Sequence, residues 1–188
     1  MVKRRTLSHE KVIDRANLMI AEEGVDHLTI RALAAALEVR PQSLYNYVES
    51  LNDLLDQVGL QFVKEIEDRL MRRLVGVSGK EALMVFAQEF RQSCNQQQHL
   101  APLLMNPNDL HQLTRTHKAL VDVYQQMFRS LHLDEAGDTG LVESTLYRSV
   151  LFGFIMQEIG GFLNLSQRKV NQRFEQTMAL AIAQFKID

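Results

Sequence analysis

The chain has 188 residues, of which 46% are apolar and 23% charged. That balance supports a buried core and excludes wholesale disorder. The formal charge of −2 hides an asymmetry: residues 1–47 carry seven Lys/Arg against six Asp/Glu, and the remainder carries fourteen against seventeen. A weakly basic head on an acidic body suits a nucleic-acid reader, and the cluster Lys3-Arg4-Arg5 is its most basic point. The longest strictly apolar run, Val150 to Met156, is too short to span a bilayer, and no apolar stretch of signal-peptide type follows the basic cluster. The single cysteine, Cys94, excludes an intrachain disulfide and a multi-cysteine zinc site. These features predict a cytoplasmic globular protein of one or two small domains.

Helical periodicity runs through the chain, strand-like alternation is absent, and the pattern predicts an all-α fold of about nine helices. Ser8 caps the first helix, with Val12, Ile13, Ala16, Met19 and Ile20 on its apolar face; Gly24 ends it in left-handed C-cap geometry. Thr29 caps a short second helix bearing Ile30, Leu33, Ala34 and Leu37. The tight link Glu38-Val39-Arg40 leads to Pro41, the favoured first residue of a third helix reaching about Val48. Ser50-Leu51-Asn52-Asp53 forms a capping box for a long fourth helix to about Leu74.

Gly76 and Gly79 precede a fifth helix, about 80–97, with Leu83, Phe86, Ala87, Phe90 and Cys94 on one face. A short apolar segment, Leu100 to Met105, follows. The seventh helix is expected from about Asn108 to Leu131, the eighth from about Leu141 to Phe162 and the ninth from about Ser166 to Lys186, with a loop over 132–140. Gly160-Gly161 ends or kinks the eighth, which is apolar nearly all round. The domain boundary is expected at 50/51, with 1–50 as the head and 51–188 as the body.

The second and third helices have the layout of a helix-turn-helix. Small Ala34, Ala35 and Ala36 permit close approach, and Leu37, Val39 and Leu44 can form the core between the helices. Arg40, Gln42, Ser43 and Asn46 are the candidates for reading bases, because Gln and Asn pair bidentately with adenine and Arg with guanine. Lys3, Arg4, Arg5, Thr29, Tyr45 and Tyr47 are the candidates for phosphate contacts, which position the protein without specifying sequence.

Several of these residues carry a family resemblance. Ile13 and Ala16, then Gly24, Thr29-Ile30-Arg31, Leu33-Ala34, Leu44-Tyr45-Asn46-Tyr47-Val48, Ser50 and Leu54-Leu55 resemble the DNA-binding domain of the TetR/AcrR regulators over about a quarter of the chain. Two positions depart from the family pattern. Leu51 stands where a phosphate-holding lysine is usual, and Glu38-Val39-Arg40 stands where Gly-Val-Ser is usual. A weaker resemblance to the C-terminal domain of a subgroup lies in Leu146-Tyr147-Arg148-Ser149-Val150-Leu151-Phe152-Gly153-Phe154, Gly160-Gly161-Phe162 and Phe174-Glu175, with Phe152 in place of a frequent histidine. The resemblance implies an all-helical homodimer that binds a pseudo-palindromic operator, represses transcription and releases DNA when a small ligand enters the C-terminal domain.

The surplus apolar surface of the eighth and ninth helices also predicts a dimer, with Leu151, Phe154, Ile155, Phe162, Phe174, Met178 and Ile182 at the interface. Two subunits place two recognition helices on half-sites about 34–36 Å apart or further. For an apolar or aromatic effector the candidate lining is Phe86, Phe90, Cys94, Met105, His117, Tyr124, Phe128, Thr145, Tyr147 and Ser149. His99, His111, His117 and His132 share no helical face at ligand spacing, so no metal site is expected, nor any cofactor. No phosphate loop or nucleophile–base motif points to an enzyme. The competing readings are a ligand-binding or protein-interaction dimer that has lost sequence-specific DNA binding, and a helical enzyme.

Overall fold

The computed structural model describes residues 7–105, 112–133 and 137–187. They form nine α-helices: α1 (His9–Glu23), α2 (Ile30–Ala36), α3 (Pro41–Leu44), α4 (Leu51–Arg73), α5 (Gly79–Gln96), α6 (Pro102–Met105), α7 (Thr114–Ser130), α8 (Gly137–Ile159) and α9 (Gln167–Ile182). A 3₁₀ turn, Val25–His27, joins α1 to α2. No strand occurs among the described residues, so the all-α expectation holds.

The caps act as the side-chain chemistry dictates. Ser8 Oγ accepts from the Lys11 N–H at 3.3 Å and Thr29 Oγ1 from Ala32 at 3.0 Å. At α4, Ser50 Oγ accepts from the Asp53 N–H at 3.0 Å, while Asp53 Oδ2 reaches back to the Glu49 N–H at 2.8 Å. The bonds from Lys11, Ala32 and Asp53 each satisfy an N–H that the first helical turn leaves open.

Local expectations change at three points; the first is that α8 begins at Gly137, inside the stretch 132–140 expected as a loop. Gly24 ends α1, but at φ 89° and ψ 164° rather than in the left-handed helical region, a conformation open to glycine almost alone. The third helix stops at Leu44 instead of Val48. Its last turn tightens, with Tyr47 N–H donating to the Leu44 carbonyl at 2.9 Å in an i to i+3 pattern. The expected start of the seventh helix at Asn108 lies outside the described residues.

The chain divides into two compact units, 1–63 with 97–118, and 64–96 with 119–188. The boundaries fall inside α4, at the end of α5 and inside α7, and the expected head boundary at 50/51 falls at the start of α4. In the first unit, α1 packs on α2 and α2 on α3 over a core of Val12, Ala16, Ile20, Leu33, Leu44 and Val48. Gly59 of α4 stands against the first turn of α7, where a Cβ would come within 2.6 Å of Thr116 Oγ1. In the second unit, α5, α8 and α9 pack mutually. Arg91 ties the three together. It donates to both Glu158 carboxylate oxygens at 2.7 Å and to Asn171 Oδ1 at 2.8 Å, and its guanidinium lies 4.6 Å from the Phe174 ring centroid.

Glu38, in the turn between α2 and α3, has φ 56°. A side chain in this left-handed region costs about 1–2 kcal/mol, and the position coincides with the usual family glycine. Glu38→Gly is expected to stabilise the fold by about 0.5–1 kcal/mol, the relieved strain less the added chain entropy. A urea midpoint that falls in this variant would contradict the assignment of strain.

Candidate nucleic-acid interface and ligand cavity

The candidate recognition surface has a buried and an exposed side. α3 packs on α2, and Leu44 and Val48 on one side and Leu33 and Ala34 on the other are all buried. Of the three alanines expected at this contact, Ala34 alone is buried; Ala35 and Ala36 face outward. With one side fixed, Arg40, Gln42, Tyr45 and Asn46 are exposed and Ser43 half-buried. Tyr45 is 54% exposed, unusual for an aromatic side chain with no surface to cover. Thr29 is exposed but its hydroxyl serves the α2 cap. Lys3, Arg4 and Arg5 lie outside the described residues.

Tyr47 has a role that its sequence position did not reveal. Its hydroxyl donates to the Leu7 carbonyl at 2.8 Å, holding the chain just before α1 to the end of the reading segment. Its backbone carbonyl accepts from Gln57 of α4 at 3.5 Å. The same Gln57 amide donates to Asp53 Oδ2 at 3.0 Å, and its carbonyl oxygen meets His9.

Below this lies a buried carboxylate that sequence reading missed. Asp56 Oδ1 accepts the Thr116 N–H at 2.9 Å, and Oδ2 accepts the Arg115 N–H at 3.2 Å and Nε at 2.9 Å. Thr116 Oγ1 lies 2.9 Å from both Oδ1 and the Asp56 carbonyl. Arg115 also pairs with Asp53. Asp56 thus caps α7 from another helix, a contact between residues 60 positions apart. Burial pushes its carboxyl up, but the bonds from Arg115 and Thr116 outweigh this and hold it below the usual range; Asp53 is lowered likewise against its own burial. A lowered folded value adds stability above the unfolded value, lost as pH falls through the folded one. The acid limb of the stability profile, below about pH 4, is therefore expected to flatten in Asp56→Asn. Urea midpoints across that range check it, and an unchanged acid limb would contradict it.

The expected effector lining separates into groups. Phe86, Phe90, Tyr124, Phe128 and Tyr147 form one buried aromatic cluster, joined by Phe152 and Phe185. The Tyr147 hydroxyl donates to the Leu83 carbonyl at 2.6 Å, and that of Tyr124 is buried without a partner among the described residues. Cys94 is fully buried and burial pushes its thiol up, so it stays protonated and unreactive. Met105 and His117 belong to the other unit, and Thr145 and Ser149 are exposed on α8.

Of the expected lining, Phe86 alone borders the cavity described here. That cavity, of about 320 Å³, lies among the end of α4, the start of α5 and the end of α7, lined chiefly by Leu70, Leu74, Ala82, Val123 and Met127 with Glu67. The meeting of α4, α5 and α7 that forms it is long-range and invisible in local spacing.

The expected dimer residues are corrected by burial. Leu151, Phe154, Ile155, Phe174, Met178 and Ile182 lie in their own chain's core, and only Phe162 is exposed, at 83%. The outward stripe on α8 is Val142, Leu146, Ser149, Gly153 and Met156; on α9 it includes Ala179 and Leu180. Among the described residues no helix is long and apolar enough to cross a membrane, and no cluster of three metal-ligating side chains occurs.

A short helix packed on the helix before it, with one side buried and the other exposed, is a helix-turn-helix arrangement. No protein-family model matches the chain. It is 28% identical over 162 residues, 84% of this chain and 73% of the other, to Rv0681 of Mycobacterium tuberculosis, an uncharacterized HTH-type transcriptional regulator. A glutamine-to-alanine variant of TetR from Acinetobacter baumannii AYE in complex with minocycline superposes with a TM-score of 0.68 at 18% identity, covering 96% of this chain and 97% of that one. The fatty acid degradation regulator FadR from Bacillus halodurans gives a TM-score of 0.72 at 12% identity, covering 99% and 100%. The fold is that of the TetR-type transcriptional regulators.

Proposed function

We propose that this chain is a ligand-responsive transcriptional repressor that binds a pseudo-palindromic operator as a homodimer and is not an enzyme. The observation that carries the reading is the exposed set Arg40, Gln42, Tyr45 and Asn46 on a segment whose opposite side is buried. Such a surface offers base edges bidentate partners and offers phosphates a hydroxyl and a cation. Arg40 supplies a positive charge next to the reading segment, where Leu51 lacks the one usual after Ser50.

The dimer forms through the outward stripes of α8 and α9. On α8 the stripe recurs every three or four residues and mixes apolar Val142, Leu146 and Met156 with small Ser149 and Gly153, which let a second helix approach closely. Leu180, 72% exposed on α9, adds apolar area that a lone chain leaves in water.

Release follows from differential affinity: the effector favours a state whose two heads no longer match the operator spacing. The long α4 carries Asp56 in the first unit and Glu67 to Arg73 in the second, so it is the element expected to transmit the change. The TetR neighbour holds minocycline, and the FadR neighbour is described as regulating fatty acid degradation; a small organic effector is the corresponding expectation here.

Selection of bound sequences from a random duplex pool at two salt concentrations tests the reading. The expected outcome is an enriched inverted repeat bound more weakly at the higher salt. On that operator Gln42→Ala should cost about 1–3 kcal/mol and relax specificity at one position of each half-site. A folded protein that enriches no sequence after removal of any co-purified ligand would overturn the proposal.

A further inference from the structure

Resting on the reading that the second unit takes a small effector, we propose that the cavity beside Glu67 selects an amphipathic organic cation: an apolar body with one ammonium group. The walls are chiefly apolar. Leu70, Ala82, Phe86, Val123 and Met127 are buried around it, while Met71 and Val75 stand exposed at its margin. A volume of about 320 Å³ is that of a small-molecule site.

Charge then narrows the ligand class. Among the fourteen lining residues Glu67 is the only one with an ionisable side chain. It is half-buried, and no described residue donates to its carboxylate. Lys64, one turn earlier on α4, is exposed and makes no ion pair with it; Arg73 is turned to Glu89 at 3.4 Å. The remaining polar lining is Ser78, Gln126 and Ser130, all neutral, and the Ser130 hydroxyl already donates to the Met127 carbonyl at 2.7 Å.

A neutral apolar ligand would fill the walls but leave Glu67 unpaired as water is displaced. An anionic one would set like charges together. An ammonium head supplies both the charge and the donors that the carboxylate lacks.

The test uses three eight-carbon probes that differ only in the head group: octylammonium, 1-octanol and octanoate. Their binding to the full-length protein is measured by titration calorimetry without DNA. Octylammonium is expected to bind about tenfold tighter than the alcohol, the scale of one charged hydrogen bond, and octanoate more weakly than either. Glu67→Gln should bring ammonium and alcohol within about twofold of each other, and Glu67→Lys should shift the preference to octanoate; an unchanged thermal midpoint shows that both variants are folded.

Equal binding of all three probes, a preference for octanoate in the unaltered protein, a preference that survives Glu67→Gln, or no binding of any probe would each overturn the proposal. Failure here with an operator still enriched by selection leaves the regulator reading intact. Cation binding without any enriched operator would instead leave the site and remove the regulator reading.

Discussion

The first unit depends on one carboxylate. Asp56 is buried, and at neutral pH it is stable there only because the first turn of α7 presents two N–H groups, a hydroxyl and a guanidinium to it. The exchange is mutual: α7 gains the cap that its own sequence lacks, and α4 gains partners for a buried charge. Gly59 permits the close approach that the bonds require, since a side chain there would meet Thr116. From this point polar contacts run without a break to the turn that follows α3. Arg115 joins Asp56 to Asp53, Asp53 accepts from Gln57, and Gln57 reaches the Tyr47 carbonyl. Tyr47 in turn holds Leu7. The surface that presents Gln42 and Asn46 is therefore braced from behind by hydrogen bonds as well as by Leu44 and Val48.

The second unit is organised differently, by aromatic packing and one cross-tie. Arg91 holds Glu158 and Asn171 while lying over Phe174, so a half-buried charge is paired and stacked at once. The rings of Phe86, Phe90, Tyr124, Phe128 and Tyr147 close on one another, with Phe86 and Tyr124 centroids 5.1 Å apart. Phe86 borders both this cluster and the cavity. That cavity lies where α4 and α7 end, away from their capped beginnings.

What was legible in the sequence follows from the range of the physics involved. Helices, caps and the two-helix head rest on local rules, and Ser8, Thr29, Ser50 and Pro41 act at the positions that those rules predict. Helix-face apolar residues such as Leu83, Phe90 and Phe174 were recognisable as buried, but periodicity does not distinguish a chain's own core from a subunit interface. Six of seven expected interface residues accordingly belong to the core. The eighth helix is apolar all round, so its outward face could be found only once its inward face was known. Asp56 and Arg115 were silent for the same reason: each is an ordinary helix residue until another part of the chain arrives. Glu38 was noticed as a departure from a family glycine, and its positive φ supplies the physical meaning of that departure.

The most direct measurement is amide hydrogen exchange on Asp56→Ala compared with the unaltered protein. Loss of the carboxylate should lower protection at the start of α7 and over residues 30–48, because the contacts that brace the reading segment begin at Asp56. Protection in α5, α8 and α9, whose packing is independent of that group, should stay unchanged. Unaltered protection over 30–48, or an equal loss across both units, would contradict the dependence of the head on this one buried charge.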